Sequence, residues 1–374
     1  MNLVILAAGT SSRFSSKTKK QWLRTRHKPL WLILAKKLAK TYDFSKIIIV
    51  SSKLECKYMR NFSDDFIFVE GGDTRQESLI NALKQSDSIY TMVTDSSRVF
   101  IDKNTIDELI KNKEKASCIV PFIAPSDSCV YENEPINRDE VKLIQTPQLS
   151  KTSVLKKAVE QASKNDKIFT DESSCIKALG ENIFYVKGSK KALKLTFNQD
   201  KAILSKLKAP SKDVFTGFGY DLHAFCENKK MYLGGLDLGF DYGFKAHSDG
   251  DVLIHALIDA LLGAVGAGDI GDFFPDNDEK YKNISSVVLL ETILNFIHNI
   301  GFRLINIDFA IKAQKPKISP FKEEIKTNLS KILGLKKQFI NIKATTEEGF
   351  GCIGEGLALS VYCLANLKYH NWKK

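Results

Sequence analysis

Gly219–Phe225 reads GYDLHAF and Ala246–Asp276 reads AHSDGDVLIHALIDALLGAVGAGDIGDFFPD. Asp221 and His223 stand two apart, after Val214-Phe215-Thr216, so on an extended segment both side chains leave from one face. From Val252 the run VLIHALIDALLGAVG has the apolar spacing of a helix, with Ser248 placed to cap it and Asp251 three residues on. Asp251, His255 and Asp259 are then spaced i, i+4, i+8, along one stripe. Two imidazoles and one carboxylate make a three-ligand set for a divalent metal. Such a set leaves the fourth tetrahedral position to a substrate oxygen, as in catalytic zinc sites. Taken singly, His255 reads equally well as a satisfied core histidine and Asp221 as a turn residue. Together they point to phosphate chemistry.

The rest of the composition is that of a globular protein. At 374 residues, 43% hydrophobic and 26% charged, the chain can build two domains with a core each, which excludes disordered and collagen-like classes. The longest apolar runs contain His or Asp and are too short to span a bilayer. MNLVILAAG has no basic leader region and reads straight into a strand, so a cytoplasmic protein is expected. Cysteines at 56, 118, 129, 175, 226, 352 and 363 never fall in CxxC spacing, which fits inert thiols in a reducing compartment. Charge is uneven. Residues 1–210 carry 36 Lys and Arg against 24 Asp and Glu, and the remainder 19 against 20. The lysines of the basic half are dispersed, without a helix-turn-helix, RNP or zinc-finger pattern. A basic half could serve nucleic acid, but a small polyanion such as a nucleoside triphosphate fits its charge equally well, and the expected partners are small-molecule substrates, with no nucleic acid and no membrane.

Residues 2–8, NLVILAA, form a buried strand ended by Gly9, and TSSRFSSKTKKQW follows. That loop matches neither the P-loop nor the G-x-G-x-x-G pattern. Helical PLWLILAKKLAKTY, strand KIIIVS, strand FIFVEGG, helix TRQESLINALKQS, strand YTMVTDSSR, helix DKNTIDELIKNK and strand ASCIVPF come next. This alternation predicts an open, mostly parallel, Rossmann-like α/β sheet with ligands beyond the carboxyl ends of its strands. Those ends bring residues 9–20, 71–75 and 95–98 near one another.

LAAG-TSS-RF, KKQ, GGDTRQESL, TDSSR, QTPQ and FTDESS, in that order over residues 1–205, resemble the 2-C-methyl-D-erythritol 4-phosphate cytidylyltransferase family. The resemblance implies a nucleotidyltransferase domain over 1–205 that uses CTP and methylerythritol phosphate with Mg2+ or Mn2+. Arg13 and Lys20 would hold the triphosphate and the charge of the transition state, which is electrostatic work needing no covalent nucleophile. Asp95 and Arg98 match the family's Asp and Arg after the fourth strand, the acid orienting the methylerythritol hydroxyls or a magnesium shell. Arg75 joins the substrate-binding set, Arg138 matches a basic residue on an arm that reaches a neighbouring subunit, and Lys194 matches a late phosphate-binding lysine. Five positions depart from the family pattern: Ser11 for glycine, Lys19 for proline, Ser96 and Ser97 for two alanines, and Ala192 for asparagine.

Residues 206–213 form a linker at the change in charge. Over 214–374, D-x-H at 221–223, HSDGD at 247–251, GDIGDFFPD, AQKPK and KATTEEGFG resemble 2-C-methyl-D-erythritol 2,4-cyclodiphosphate synthase, a trimer-forming α+β domain. The resemblance implies Zn2+ on Asp221, His223 and His255, polarising the β-phosphate of a CDP-methylerythritol substrate. It also implies substrate contacts from His247, Ser248, Asp269, Gly271, Phe274, Asp276, Lys317 and Phe350. Thr346 is the catalytic candidate and Glu348 the ligand of a second cation, Mg2+ or Mn2+. The arginine expected before the last Gly-Glu-Gly falls on Ile353. G-x-G-x-x-G at 349–354 precedes a strand and reads as coincidence, and His298, on an amphipathic helix, reads as structural. Trimers of this half and dimers of the other would close into a hexamer. Two alternatives stay open for the first half: another acceptor, or a non-catalytic basic docking module.

Overall fold

The computed structural model describes residues 1–275 and 277–373, so Asp276 lies outside the described residues. The chain divides into two compact units, Met1–Ala209 and Pro210–Lys374. Among the described residues no helix is long and apolar enough to cross a membrane.

In the first unit, continuous apolar runs become strands, most of them buried on both faces, with the edge strand Ile67–Glu70 only half-buried. These are β1 (Asn2–Leu6), β2 (Lys46–Ser51), β3 (Ile67–Glu70), β4 (Tyr90–Asp95) and β5 (Cys118–Ile123). A hairpin, β6 (Cys129–Tyr131) and β7 (Glu134–Ile136), is followed by β8 (Leu143–Ile144), β9 (Gln148–Lys151) and β10 (Ile183–Lys187). The sheet order is β8-β5-β9-β4-β1-β2-β3, with β10 also paired to β5. Strands β4, β1, β2 and β3 run parallel, as the alternation predicts, while β9 enters antiparallel between β4 and β5. Helices α1 (Leu30–Thr41), α2 (Lys53–Met59), α3 (Arg75–Leu83), α4 (Lys103–Lys111), α5 (Thr152–Lys164) and α6 (Glu172–Ala178) connect them. Thr74 caps α3 by accepting from Glu77 N, and Asp171 caps α6 by accepting from Ser174 N. Both helix starts therefore sit where the parallel strands end.

In the second unit, β11 (Val214–Glu227), β12 (Tyr242–Phe244), β13 (Phe302–Lys312), β14 (Ile340–Thr345) and β15 (Ala358–Tyr369) form a sheet ordered β12-β11-β15-β13-β14. Helices α7 (Val252–Val265), α8 (Ser286–Asn299) and α9 (Lys322–Leu333) belong to it. Strand β11 alternates from Val214 to Phe225. Gly217 and Gly219 are buried on the inner face, whereas Phe218, Tyr220 and Leu222 are exposed on the other. The missing side chains at 217 and 219 let α7 lie on the strand backbone: a Cβ built on Gly219 would stand 1.9 Å from the Ala256 carbonyl oxygen. This close approach carries His255 to the strand that bears Asp221 and His223.

One expectation about α7 needs correction. Its N-cap is Asp251, whose carboxylate accepts from Ile254 N. The same carboxylate accepts from Gly234 N at 2.9 Å and Gly235 N at 2.6 Å. Ser248 lies three residues upstream, with its hydroxyl accepting from Gly250 N. Asp251 is thus spent on capping and does not share the site with His255.

Candidate active sites

The first unit has a cavity of about 280 Å3 at the carboxyl ends of its parallel strands, lined by Gly9, Arg13 and Lys20, by residues 72–75, by Asp95–Ser97 and by Lys194. The three loops expected to converge do so. Asp95, nearly buried at the end of β4, takes Lys194 Nζ on Oδ2 at 2.6 Å and Arg75 Nη2 on Oδ1 at 3.3 Å. Arg75 Nη1 also donates to the wholly buried Glu172 Oε1 at 2.8 Å. Burial alone raises the Asp95 carboxyl, but Arg75 and Lys194 outweigh it and the pKa ends below the ordinary value. Burial pulls Arg75 down, and Glu172 and Asp95 more than reverse that. Lys20 has a lowered pKa, from burial first and then from Lys194 and Arg13, with Asp95 acting the other way. A cation cluster poised over one carboxylate is an environment for a polyphosphate.

Two other candidates sit apart. Arg98 is nearly buried, donates to Ala192 O at 2.7 Å and does not line this cavity. Arg138 is exposed beyond the β6–β7 hairpin and donates to Ser126 O.

In the second unit Asp221, His223 and His255 each offer one donor atom to a common point. His223 Nε2 to Asp221 Oδ2, His255 Nδ1 to Asp221 Oδ2, and His223 Nε2 to His255 Nδ1 are each 3.1 Å. Ligands at about 2.05 Å in tetrahedral geometry stand about 3.3 Å apart, so the donor set fits a divalent ion of zinc's size. Burial lowers both imidazoles. On His223 it prevails, whereas on His255 the Asp221 carboxylate outweighs it and the pKa is raised. Behind the ligands, His255 Nε2 lies 2.9 Å from Ser286 Oγ, which donates to Asp249 Oδ1. This relay fixes the ring orientation that presents Nδ1 to the ion.

A cavity of about 330 Å3 opens beside this set, lined also by His247, Ser248, Asp259, Gly271 and Phe274. Burial raises the pKa of Asp259, which sits one helical turn beyond His255 and accepts from Ile270 N. Asp269 caps the helical turn Ile270–Phe273 and does not line the cavity. Thr346 donates to Glu348 at 2.6 Å in the exposed loop after β14, where Phe350 is 79% exposed. Lys317, also exposed, does not line the cavity either. Register links Asp221 to Val361, Val361 to Ile311 and Ile311 to Ala344, three strands across the sheet. At 4.8 Å per strand that is about 14 Å. Within one chain the metal triad and the Thr346–Glu348 pair are separate.

A nucleotide-sized cationic cavity on a parallel sheet and a three-ligand metal set beside a second cavity define a two-headed enzyme of phosphate chemistry. Residues 1–206 match the family described as 2-C-methyl-D-erythritol 4-phosphate cytidylyltransferase, and residues 214–368 match the YgbB family. The bifunctional enzyme IspD/IspF of Aliarcobacter butzleri is 53% identical over 374 residues, covering 100% of this chain and 99% of the relative. That of Campylobacter fetus subsp. fetus is 49% identical over 373 residues, covering 100% and 98%. The solved structure of the bifunctional IspDF from Campylobacter jejuni, 46% identical, covers both chains completely with a TM-score of 0.84. The chain belongs to the bifunctional IspD/IspF family. It is an enzyme of isoprenoid precursor synthesis that joins a cytidylyltransferase, a nucleotidyltransferase, to a metal-dependent cyclodiphosphate synthase, a lyase.

Sequence reasoning found the triad and the three loops. Glu172, within FTDESS, carries no role legible in the sequence, nor does Ser286, the first residue of α8 after its cap Ser285.

Proposed function

We propose that the cationic cavity of the first unit binds CTP and methylerythritol 4-phosphate, with Arg13 and Lys20 holding the triphosphate. The acceptor's phosphate oxygen attacks the α-phosphorus of CTP and pyrophosphate leaves. Charge neutralisation and in-line placement carry the step. Asp95, braced between Arg75 and Lys194, orients the acceptor hydroxyls or the water shell of a Mg2+ or Mn2+ ion. Arg138, on the exposed hairpin side, is assigned to a neighbouring copy's acceptor site, and Arg98 to holding the loop after β4.

In the second unit Asp221, His223 and His255 are the ligands of Zn2+, which supplies Lewis-acid polarisation of the β-phosphate when bound. The protein folds the substrate so that its 2-phosphate oxygen meets the β-phosphorus. A P–O bond forms there as the bond to CMP breaks, giving the 2,4-cyclodiphosphate. His247, Ser248, Gly271 and Phe274 shape the methylerythritol pocket, and Asp269 and Asp276 are assigned to the same substrate. Thr346 and Glu348 hold the second cation, and Lys317 and Phe350 the cytidine end. The register, which sets Ala344, two residues before Thr346, three strands from Asp221, supports assigning this group to a neighbouring copy's site. Phe218, Tyr220, Leu222 and Leu364, exposed on one sheet face, supply an apolar surface for a trimer.

The observation that carries the proposal is the triangle of donor atoms, 3.1 Å on each edge. It is tested by metal analysis of the purified protein together with CMP release from CDP-methylerythritol 2-phosphate. About one zinc per chain is expected, with its removal abolishing CMP release and leaving pyrophosphate release from CTP intact. Full cyclisation by metal-free protein sinks the zinc assignment.

A further inference from the structure

The helical turn Lys20–Trp22, which offers Lys20 to the nucleotide cavity, is held from two sides. Toward β1, Gln21 Nε2 donates to Ala7 O at 2.9 Å and to Gly9 O at 3.1 Å, and Lys20 N donates to Ser11 Oγ at 3.2 Å. On the other side stands a carboxylate for which the reaction has no use. Glu55, in the first turn of α2, is 2% exposed. Its Oε1 accepts from Lys19 Nζ and its Oε2 from Trp22 Nε1 at 2.7 Å. Lys19 is 9% exposed and Trp22 not at all. Trp31, Tyr58 and Phe62 close around the indole with ring centroids 5.6–5.9 Å away.

An ion pair placed among aromatic rings carries a desolvation cost that apolar side chains of the same volume avoid. Its effect is geometric. Residues 19 and 22 bracket Lys20, and both are tied to the two oxygens of one carboxylate on a rigid helix. The backbone of the turn therefore cannot rotate without breaking a buried charge-assisted bond.

We propose that Glu55 is a positioning residue for Lys20, acting through Lys19 and Trp22 to aim the Lys20 ammonium at the triphosphate of CTP. This rests on the assignment of Lys20 to the triphosphate.

The test uses the full chain. Lys19→Met with Glu55→Gln removes both charges together, keeps chain length and volume, and leaves an amide oxygen to accept from Trp22. Pyrophosphate release is compared for the wild type, this double variant, Lys20→Ala and the triple variant, with urea unfolding as the check on folding. The double variant is expected to unfold near the wild-type midpoint and to lose about tenfold or more in kcat/KM for CTP. Its KM for methylerythritol phosphate and its CMP release should be unchanged. In the Lys20→Ala background the same double change should cost nothing further, because there is no longer an ammonium to aim. Unchanged CTP kinetics, an equal loss for CTP and acceptor, or the same loss in the Lys20→Ala background overturns the proposal. Wild-type transfer by Lys20→Ala removes the assignment of Lys20 itself, and the positioning with it. If the double variant does not fold, Glu55→Asp, which keeps the charge pair balanced and shortens the reach to Lys19 and Trp22 by one methylene, carries the same comparison and the same criteria.

Discussion

Gly219→Ala should disable one active site of this enzyme and spare the other. The added Cβ would lie 1.9 Å from Ala256 O and 2.7 Å from Ala260 N, both backbone atoms of α7. Non-bonded carbon contacts sit near 3.5 Å, so the helix must withdraw by roughly 1.5 Å. His255 precedes Ala256 on that helix, and its Nδ1 stands 3.1 Å from both Asp221 Oδ2 and His223 Nε2. Metal sites tolerate about 0.2 Å in ligand distance, so a withdrawal of this size takes one ligand out of reach. Overpacking costs about 1–3 kcal/mol of stability, which a unit of this size survives. The rate loss from an ångström-scale misplacement is about 100-fold.

The assay is zinc content and CMP release, with pyrophosphate release from CTP as the internal control. Gly263→Ala is the matched comparison, one turn from the helix end. Its nearest non-local atom would be Phe218 O at 3.8 Å, so it should keep full zinc and gain about 0.5–1 kcal/mol of helix stability. A Gly219→Ala protein that binds zinc stoichiometrically and cyclises at more than half the wild-type rate would refute the claim that close helix–strand packing builds the site.

Ser286→Ala removes the hydroxyl between His255 Nε2 and Asp249 while leaving the Ser286 N to Asp249 Oδ2 bond available. Zinc affinity, read by chelator competition, should fall about 10–100-fold, and an unchanged affinity would assign the orienting contact to Ser248 at 3.2 Å. Asp95→Asn should lower the stability of the first unit by about 1–3 kcal/mol at pH 7, since Lys194 loses its carboxylate while Arg75 keeps Glu172. Because the folded pKa of Asp95 is depressed, this contribution is present in full above the unfolded value of about 3.9 and fades as pH falls through the folded value. Urea curves of the two proteins should therefore differ by a constant amount from pH 7 to about 5 and converge in stronger acid.

The second unit was the more legible because its chemistry is local. Asp221 and His223 share a face by strand alternation, His255 follows from helical spacing, and the glycines at 217 and 219 lie in the same strand. What sequence did not reveal depends on contacts between distant segments. Asp251 displaces Ser248 as the cap because Gly234 N and Gly235 N arrive from another loop to share its carboxylate. The separation of Thr346 and Glu348 from the triad follows from strand order. The last strand of the chain, β15, inserts beside β11 and pushes β14 to the far edge. Likewise the antiparallel entry of β9 between β4 and β5 leaves no mark in a four-residue segment with three polar residues.

The first loop shows how residues can change while a site is kept. Ser11, where the family pattern has glycine, adopts φ 60°, ψ 28°, a left-handed conformation that costs a non-glycine residue about 1–2 kcal/mol. Its hydroxyl offsets this by accepting from Lys20 N and donating to Gln21 Oε1, bonds that glycine cannot make. Lys19, where the pattern has proline, gives up a fixed φ and gains a buried tie to Glu55. Ser11 thus accepts backbone strain and Lys19 gives up a fixed φ, and each gains a side-chain bond that holds the turn Lys20–Trp22, Ser11 directly and Lys19 through Glu55, which also takes Trp22. The two substitutions are coupled through the position of Lys20. Restoring glycine at 11 should therefore cost more CTP affinity once the Lys19–Glu55 pair has been removed than while it is intact, and equal losses in the two backgrounds would show that the restraints act independently.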